Sequence, residues 1–302
     1  MMHHITRGCH KVVSFCYSGA ISQTSFYSTS YIVTKHFSSL LPNRNRMSTN
    51  PPWTVGQSQA TPLSDTWKQF DPSDVDNKFS QYYLMISCCV PRPIALVSTV
   101  NNNGIRNCAP FSYFGTWGII ITILAFHRIV HNYIRIRIVG VVCHDPMLVS
   151  VTICMNGRGA DRQKKDSLVN IEETSEFVVN IMSEWFVESA NHTCGAFPYG
   201  TDEIAVSGLN TLPSVKVRSE RIRESAVQME CKVHQLIPIT NDLGEHTSTV
   251  VYGRVVNVHV NDTVLDDSQG QVDINKLKPI GRAGGNTYTT IGNTFDMARP
   301  KV

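Results

Sequence analysis

The chain has 302 residues, 42% of them hydrophobic, enough to bury a sizeable core in one or two domains. Its formal charge of +3 is uneven: residues 1–46 and 116–140 hold eight basic residues and no acid, so the remainder carries −5 and offers no nucleic-acid footprint. Nine cysteines without CxxC spacing argue against a zinc cluster and a disulfide framework alike, and point to a reducing, cytoplasmic setting.

Residues 1–46 combine Arg7, Lys11, Lys35, Arg44 and Arg46 with eight serines and no carboxylate. That is the composition of a mitochondrial transit peptide, and equally that of upstream sequence translated ahead of Met47. Either way the segment is expected to be a disordered leader, with the folded body in 47–302. Trp67 to Ser80 is polar and acidic, and Tyr82–Cys89 leads into the first hairpin. There Pro93 to Val100 reads as an apolar strand, Asn101-Asn102-Asn103-Gly104 supplies φ > 0 positions for a turn, and the chain returns through Asn107, Ala109 and Phe111. Further strands are expected at 147–154, 177–182, 227–239 and 248–260, the last two alternating apolar and polar residues. Helices are the minority. Lys164–Glu173 turns Leu168 and Ile171 inward, and Glu184–Asn191 gathers Trp185, Phe186 and Ser189 near one face. Strands without βαβ alternation predict a mainly β protein built as an antiparallel barrel.

One segment breaks this order. Residues 116–140 contain eight isoleucines, three arginines and no acid. Codon degeneracy allows a GT…AG boundary at each end whose excision is in frame, so the segment reads as a retained intron interrupting the body. The alternative is an amphipathic flap, because Ile134, Ile136 and Ile138 alternate with Arg135 and Arg137. His127 and His131 have the spacing of metal ligands on a helix, but no third ligand stands nearby, and no metal site is expected. No apolar run reaches the roughly 18–20 residues needed to cross a bilayer.

In order along the chain, PRPIALVST (91–99), NCAPFSYF (107–114), HDPMLVSV (144–151), DRQKKDSLVNIEET (161–174), FVVNIMSEWFVESANHT (177–193), VQMECKVHQ (227–235) and GRAGGNTY (281–288) resemble the flavin reductase-like family. The resemblance implies the FMN-binding split β-barrel of the flavoredoxin-like proteins, FMN as cofactor, a homodimer, and NADH or NADPH as electron donor. It also implies that Gly115-Val141-Val142-Cys143 would link the FSYF strand to the HDP turn if 116–140 were absent.

On that reading Arg162, Lys165 and Ser167 form the phosphate group, with Ser98 and Asn107 beside them, and the N-terminus of the helix that follows adds its amides. Arg158 and Lys164 are further cations of the same turn. The flavin ring lies along the hairpin against main-chain groups of Thr99 and Val100 and against Ala109, Pro110, Ser112 and Phe114. Arg92, held between Pro91 and Pro93, reaches the flavin or pairs with an acid. His192, Asn286 and Tyr288 match family blocks near the flavin. Hydride transfer from nicotinamide to flavin needs alignment more than an acid or base, so no catalytic triad or carboxylate pair is expected. No G-x-G-x-x-G fingerprint indicates which nicotinamide is used. The function implied is an NAD(P)H-dependent flavin reductase, the alternative an FMN-binding protein without turnover, disabled by the insert.

Overall fold

The computed structural model describes residues 54–59, 61–63, 66–70, 81–115, 142–157, 159–266, 271–295 and 297. The leader 1–46, the insert 116–140 and Arg158 lie outside them. Two units are distinguished, residues 61–294 and residues 1–60 with 295–302. In the second, Gln57 N–H donates to Thr54 O at 3.1 Å to close a turn around Gly56.

Residues 61–294 carry the fold. The helix α1 (Gln81–Cys88) precedes the strands β1 (Arg92–Pro93), β2 (Ala95–Val100) and β3 (Arg106–Phe111). After the insert come β4 (Cys143–His144), β5 (Met147–Cys154), α2 (Asp166–Thr174) and β6 (Glu176–Ile181). Two short helices, α3 (Val187–His192) and α4 (Glu203–Val206), lead to β7 (Thr211–Leu212) and β8 (Arg221–Ile222). The long strands β9 (Val227–Thr240) and β10 (His246–Val260) follow, and α5 (Ile274–Leu277), β11 (Ile280–Gly284) and β12 (Thr287–Thr290) close the unit.

Seven strands form one antiparallel sheet in the order β3-β2-β6-β9-β10-β5-β4. The sheet closes on itself. Just past β3, Phe114 pairs with Val151 of β5, with Thr152 N–H donating to Tyr113 O at 3.1 Å and Gly115 N–H to Ser150 O at 2.9 Å. Closure removes the free edges that β3 and β5 would otherwise present. The protein is therefore a mainly β, antiparallel barrel, as the alternating strands predicted. A smaller sheet, β1-β11-β12, lies beside it.

The barrel interior is filled by Val97, Val151, Ile153, Phe177, Val179 and Val251, with Leu168 and Ile171 of α2 packed into the same cluster. That is the inward pair predicted for this helix. Leu96 and Cys108 face outward from β2 and β3 and are covered by Met182, Phe186, Ile204 and Ile222. Strand β2 is thus buried on both faces. Gly253 of β10 is required by this packing, because an added Cβ would stand 2.3 Å from Phe177 Cζ. Asn180 of β6 fastens β8 to the wall: its Nδ2 donates to Leu96 O at 3.0 Å, and its Oδ1 accepts from Ile222 N–H at 2.9 Å.

Two local expectations need correction. Within 101–104 only Gly104 has a positive φ; the turn is held instead by Asn101 Oδ1, which accepts from Asn103 N–H at 3.0 Å and Ile105 N–H at 2.9 Å. Glu184–Asn191 is split into a 3₁₀ turn at Glu184–Phe186 and the helix Val187–His192, with Phe186 buried and Trp185 half exposed.

The ends flanking the insert attach to the same edge of β5. Gly115 bonds to Ser150, while Val142 N–H donates to Leu148 O at 3.0 Å. Two positions of a strand span about 7 Å, the reach of a single residue placed between Gly115 and Val142.

Candidate functional site

The predicted residues separate into three places. The first is the N-terminus of α2. Lys165 occupies its N-cap in an extended conformation and forms no side-chain cap, while Leu168 N–H and Val169 N–H both donate to Lys165 O. The Ser167 amide has no main-chain partner within the first turn, while the Asp166 amide donates to its own carboxylate. The Lys165 ammonium has no ion-pair partner among the described residues, and its field acts on Cys154, Cys194 and Glu203. Ser167 is buried, 2.8 Å from the side-chain amide of Asn107 on β3. One turn later Asn170 Nδ2 donates to Thr99 Oγ1 at 3.0 Å. Lys165, Ser167, Asn107 and Thr99 are therefore brought together where β2 and β3 meet α2.

Arg162 is not part of that group. Its guanidinium turns to the β9–β10 hairpin, 3.2 Å from Glu245 Oε2 and donating to His246 O at 3.3 Å. Lys164 likewise pairs with Glu172 at 2.7 Å. Among the described cations of this turn, Lys165 alone forms no ion pair. Ser98 points to the opposite wall, where its hydroxyl donates to Glu220 O at 2.6 Å and accepts from Asn180 Nδ2 at 3.2 Å. The side chains of Ser98 and Thr99 are thus spent on the protein, while Val100, Ala109, Pro110 and Ser112 remain half-buried along the hairpin. Phe114 is buried in the barrel core.

The second place is the β11–β12 turn. Tyr288 OH donates to Asn191 Oδ1 at 2.7 Å, and Arg282 lies over the Tyr288 ring, 4.4 Å from its centroid. His192 is exposed and packs edge-on against Phe197, and Asn286 sits in the exposed turn. Cys194 joins the two places. Burial raises its thiol pKa, and both Arg282 and Lys165 oppose that rise. The third place holds Arg92, which pairs with no acid. It is buried between α1 and β1 and donates to Ile86 O and, at 3.1 Å, to Cys89 O, capping the helix C-terminus.

Sequence reasoning missed Glu203. It lies on α4, is 9% exposed, and accepts from Cys108 N–H at 2.9 Å. Burial, reinforced by Asp166 and Asp202, pushes its carboxyl up to about 7, although the Cys108 N–H bond and Lys165 pull it down. Its only local signal is Asp202, whose carboxylate caps α4 through Ala205 N–H at 3.1 Å. Nothing nearby in sequence announces that Glu203 meets β3.

Among the described residues no helix is long and apolar enough to cross a membrane. Residues 128–274 match the flavin reductase like domain. An uncharacterized protein of Halalkalibacterium halodurans is 32% identical over 234 residues, covering 78% of this chain and 97% of that protein. Among solved structures, nitrilotriacetate monooxygenase component B from Bacillus cereus is 27% identical with a TM-score of 0.63, over 78% of this chain and all of that one. The 2-nitrobenzoate 2-nitroreductase of Pseudomonas fluorescens shares the fold, at 24% identity and a TM-score of 0.60 over 77% of this chain and 96% of its own. With its closed antiparallel barrel and ordered motifs, the chain belongs to the flavin reductase-like family.

Proposed function

We infer that the protein binds FMN and acts as an NAD(P)H-dependent flavin reductase, with the flavin phosphate at the N-terminus of α2. The observation that carries this is the unpaired Lys165 beside the Ser167 amide and hydroxyl at the start of α2, in a chain of this family. A cation and helix-end amides converging on one point are what a phosphate needs. The flavin, when bound, supplies the hydride acceptor. The chain's own part is to hold the phosphate with Lys165 and Ser167, and to align the ring along the main chain of β2 and β3. Arg282 and Tyr288 wall the site on the β11–β12 side.

A homodimer fits the same reading. Tyr82, Tyr83, Met85 and Val90 on and after α1 are all between 45% and 62% exposed, an apolar surface suited to a second copy.

The test compares FMN with riboflavin, which lacks the phosphate. Lys165→Ala with Ser167→Ala should weaken FMN by about 1–3 kcal/mol and leave riboflavin nearly unchanged. Turnover is read as NADH and NADPH oxidation with added FMN. Equal losses for both flavins would reject the phosphate assignment, and stoichiometric FMN without nicotinamide oxidation would reject the reductase.

A further inference from the structure

Ser167, Asn107 and Glu203 form a chain of three side chains running from α2 through β3 to α4. Ser167 and Asn107 are 2% and 5% exposed, with Ser167 Oγ 2.8 Å from the Asn107 amide. The other end of that amide is 3.0 Å from Glu203 Oε2. Two orientations of the amide satisfy this geometry, and they need different numbers of protons. With the carboxylate ionised, Asn107 Nδ2 donates to Glu203, and Asn107 Oδ1 accepts from the Ser167 hydroxyl and from Cys108 N–H at 3.1 Å. The Ser167 hydrogen is then committed inward. With the carboxyl protonated, its O–H donates to Asn107 Oδ1 and Nδ2 donates to Ser167 Oγ; Nδ2 then faces Cys108 N–H at 3.1 Å, which keeps its bond to Glu203 Oε2 at 2.9 Å, and the Ser167 hydrogen is released. One proton enters, at Glu203, and the direction of donation reverses along the whole chain.

The geometry points to a proton-set donor: Glu203 and Asn107 position the hydroxyl hydrogen of Ser167, which donates to the flavin phosphate when Glu203 is neutral and is withheld when Glu203 ionises. This rests on the FMN reading above. Glu203 and Asn107 are positioning residues that act through Ser167. A hydroxyl turned inward presents only lone pairs to a phosphate oxygen, so the two states differ by a charge-assisted hydrogen bond.

Burial first, and then the groups facing Glu203, place the changeover in neutral solution. Asp166 at the start of α2 and Asp202 on its own helix oppose ionisation, and Lys165 favours it. Arg106 of β3 holds Asp202 and Glu220, while the thiols of Cys108 and Cys194 complete the surround.

Dissociation constants for FMN and riboflavin, measured on the full chain from pH 6 to 8.5, test this. The FMN affinity, taken relative to riboflavin, should fall about tenfold as pH rises through 7. The phosphate itself ionises near pH 6, and Glu203→Gln, which keeps the shape without the proton, reports that contribution alone. Ser167→Ala should hold FMN at the weak, high-pH level throughout. Parallel profiles in the wild type and Glu203→Gln would overturn the proposal. A second readout needs no flavin: the side-chain amide resonances of ¹⁵N-labelled Asn107 should titrate near pH 7, and not in Glu203→Gln. A static Asn107 overturns the reversal even if FMN binds, whereas a titrating Asn107 in a protein that binds neither flavin overturns its coupling to phosphate and the flavin reading together.

Discussion

Gly253→Ala places a methyl where the barrel has no room, and the structure sets the size of the effect. The new carbon would stand 2.3 Å and 2.9 Å from Cζ and Cε1 of Phe177, and 3.1 Å from Cys231 Cβ. Carbon atoms rest about 3.5 Å apart or more, so the ring must retreat by about 1 Å. Phe177 is fully buried among Val97, Val179 and Val251, so its ring can retreat only by displacing them. Overpacking of this kind costs about 1–3 kcal/mol, and a collision with a buried ring on one side and Cys231 Cβ on the other argues for the upper end. For a domain of this size that lowers Tm by about 6–12 °C. Phe177→Leu removes the colliding ring atoms and by itself costs roughly 1–3 kcal/mol through the space it leaves. The double variant should be more stable than the sum of the singles by about 2 kcal/mol, because the methyl fills part of that space. Thermal unfolding followed by circular dichroism on all four proteins closes the cycle. Additivity within about 0.5 kcal/mol would refute the claim that Gly253 is required by Phe177.

Two further outcomes follow from other sites. Glu230 is fully buried; burial alone would raise its carboxyl pKa, but bonds from His259, Val215 N–H, Lys216 N–H and Asn257 hold it down to about 2. A depressed pKa stabilises above the unfolded value of 4.5 and is lost as pH falls toward 2, so about 3 kcal/mol should disappear across that window. Urea titrations of Glu230→Gln should show a protein already weaker at pH 7 and flatter between pH 4.5 and 2; an unchanged slope sinks the assignment. Deleting residues 116–140 should leave Val141 spanning Gly115 and Val142 along β5, and raise soluble yield and FMN occupancy together. If the shortened chain fails to fold, the segment belongs to the protein's architecture.

The elements themselves were legible in the residues. Alternation over 227–239 and 248–260 marked the two long strands, the run at 147–154 matched β5, and Leu168 with Ile171 marked the inward face of α2. Each of these signals is local, since a strand or helix writes its buried face into its own period. The family motifs likewise lie in short blocks, which is why the barrel was foreseeable. What only the tertiary structure decided is which side chains meet. The closure of Phe114 on Val151 and the turning of Arg162 to Glu245 depend on pairings between distant segments. Glu203 reaches Cys108 across 95 positions of sequence. A carboxylate at the first position of a short helix reads as a solvated charge, and it becomes a buried proton store only when β3 is laid against it, because desolvation is a property of the neighbours and not of the residue.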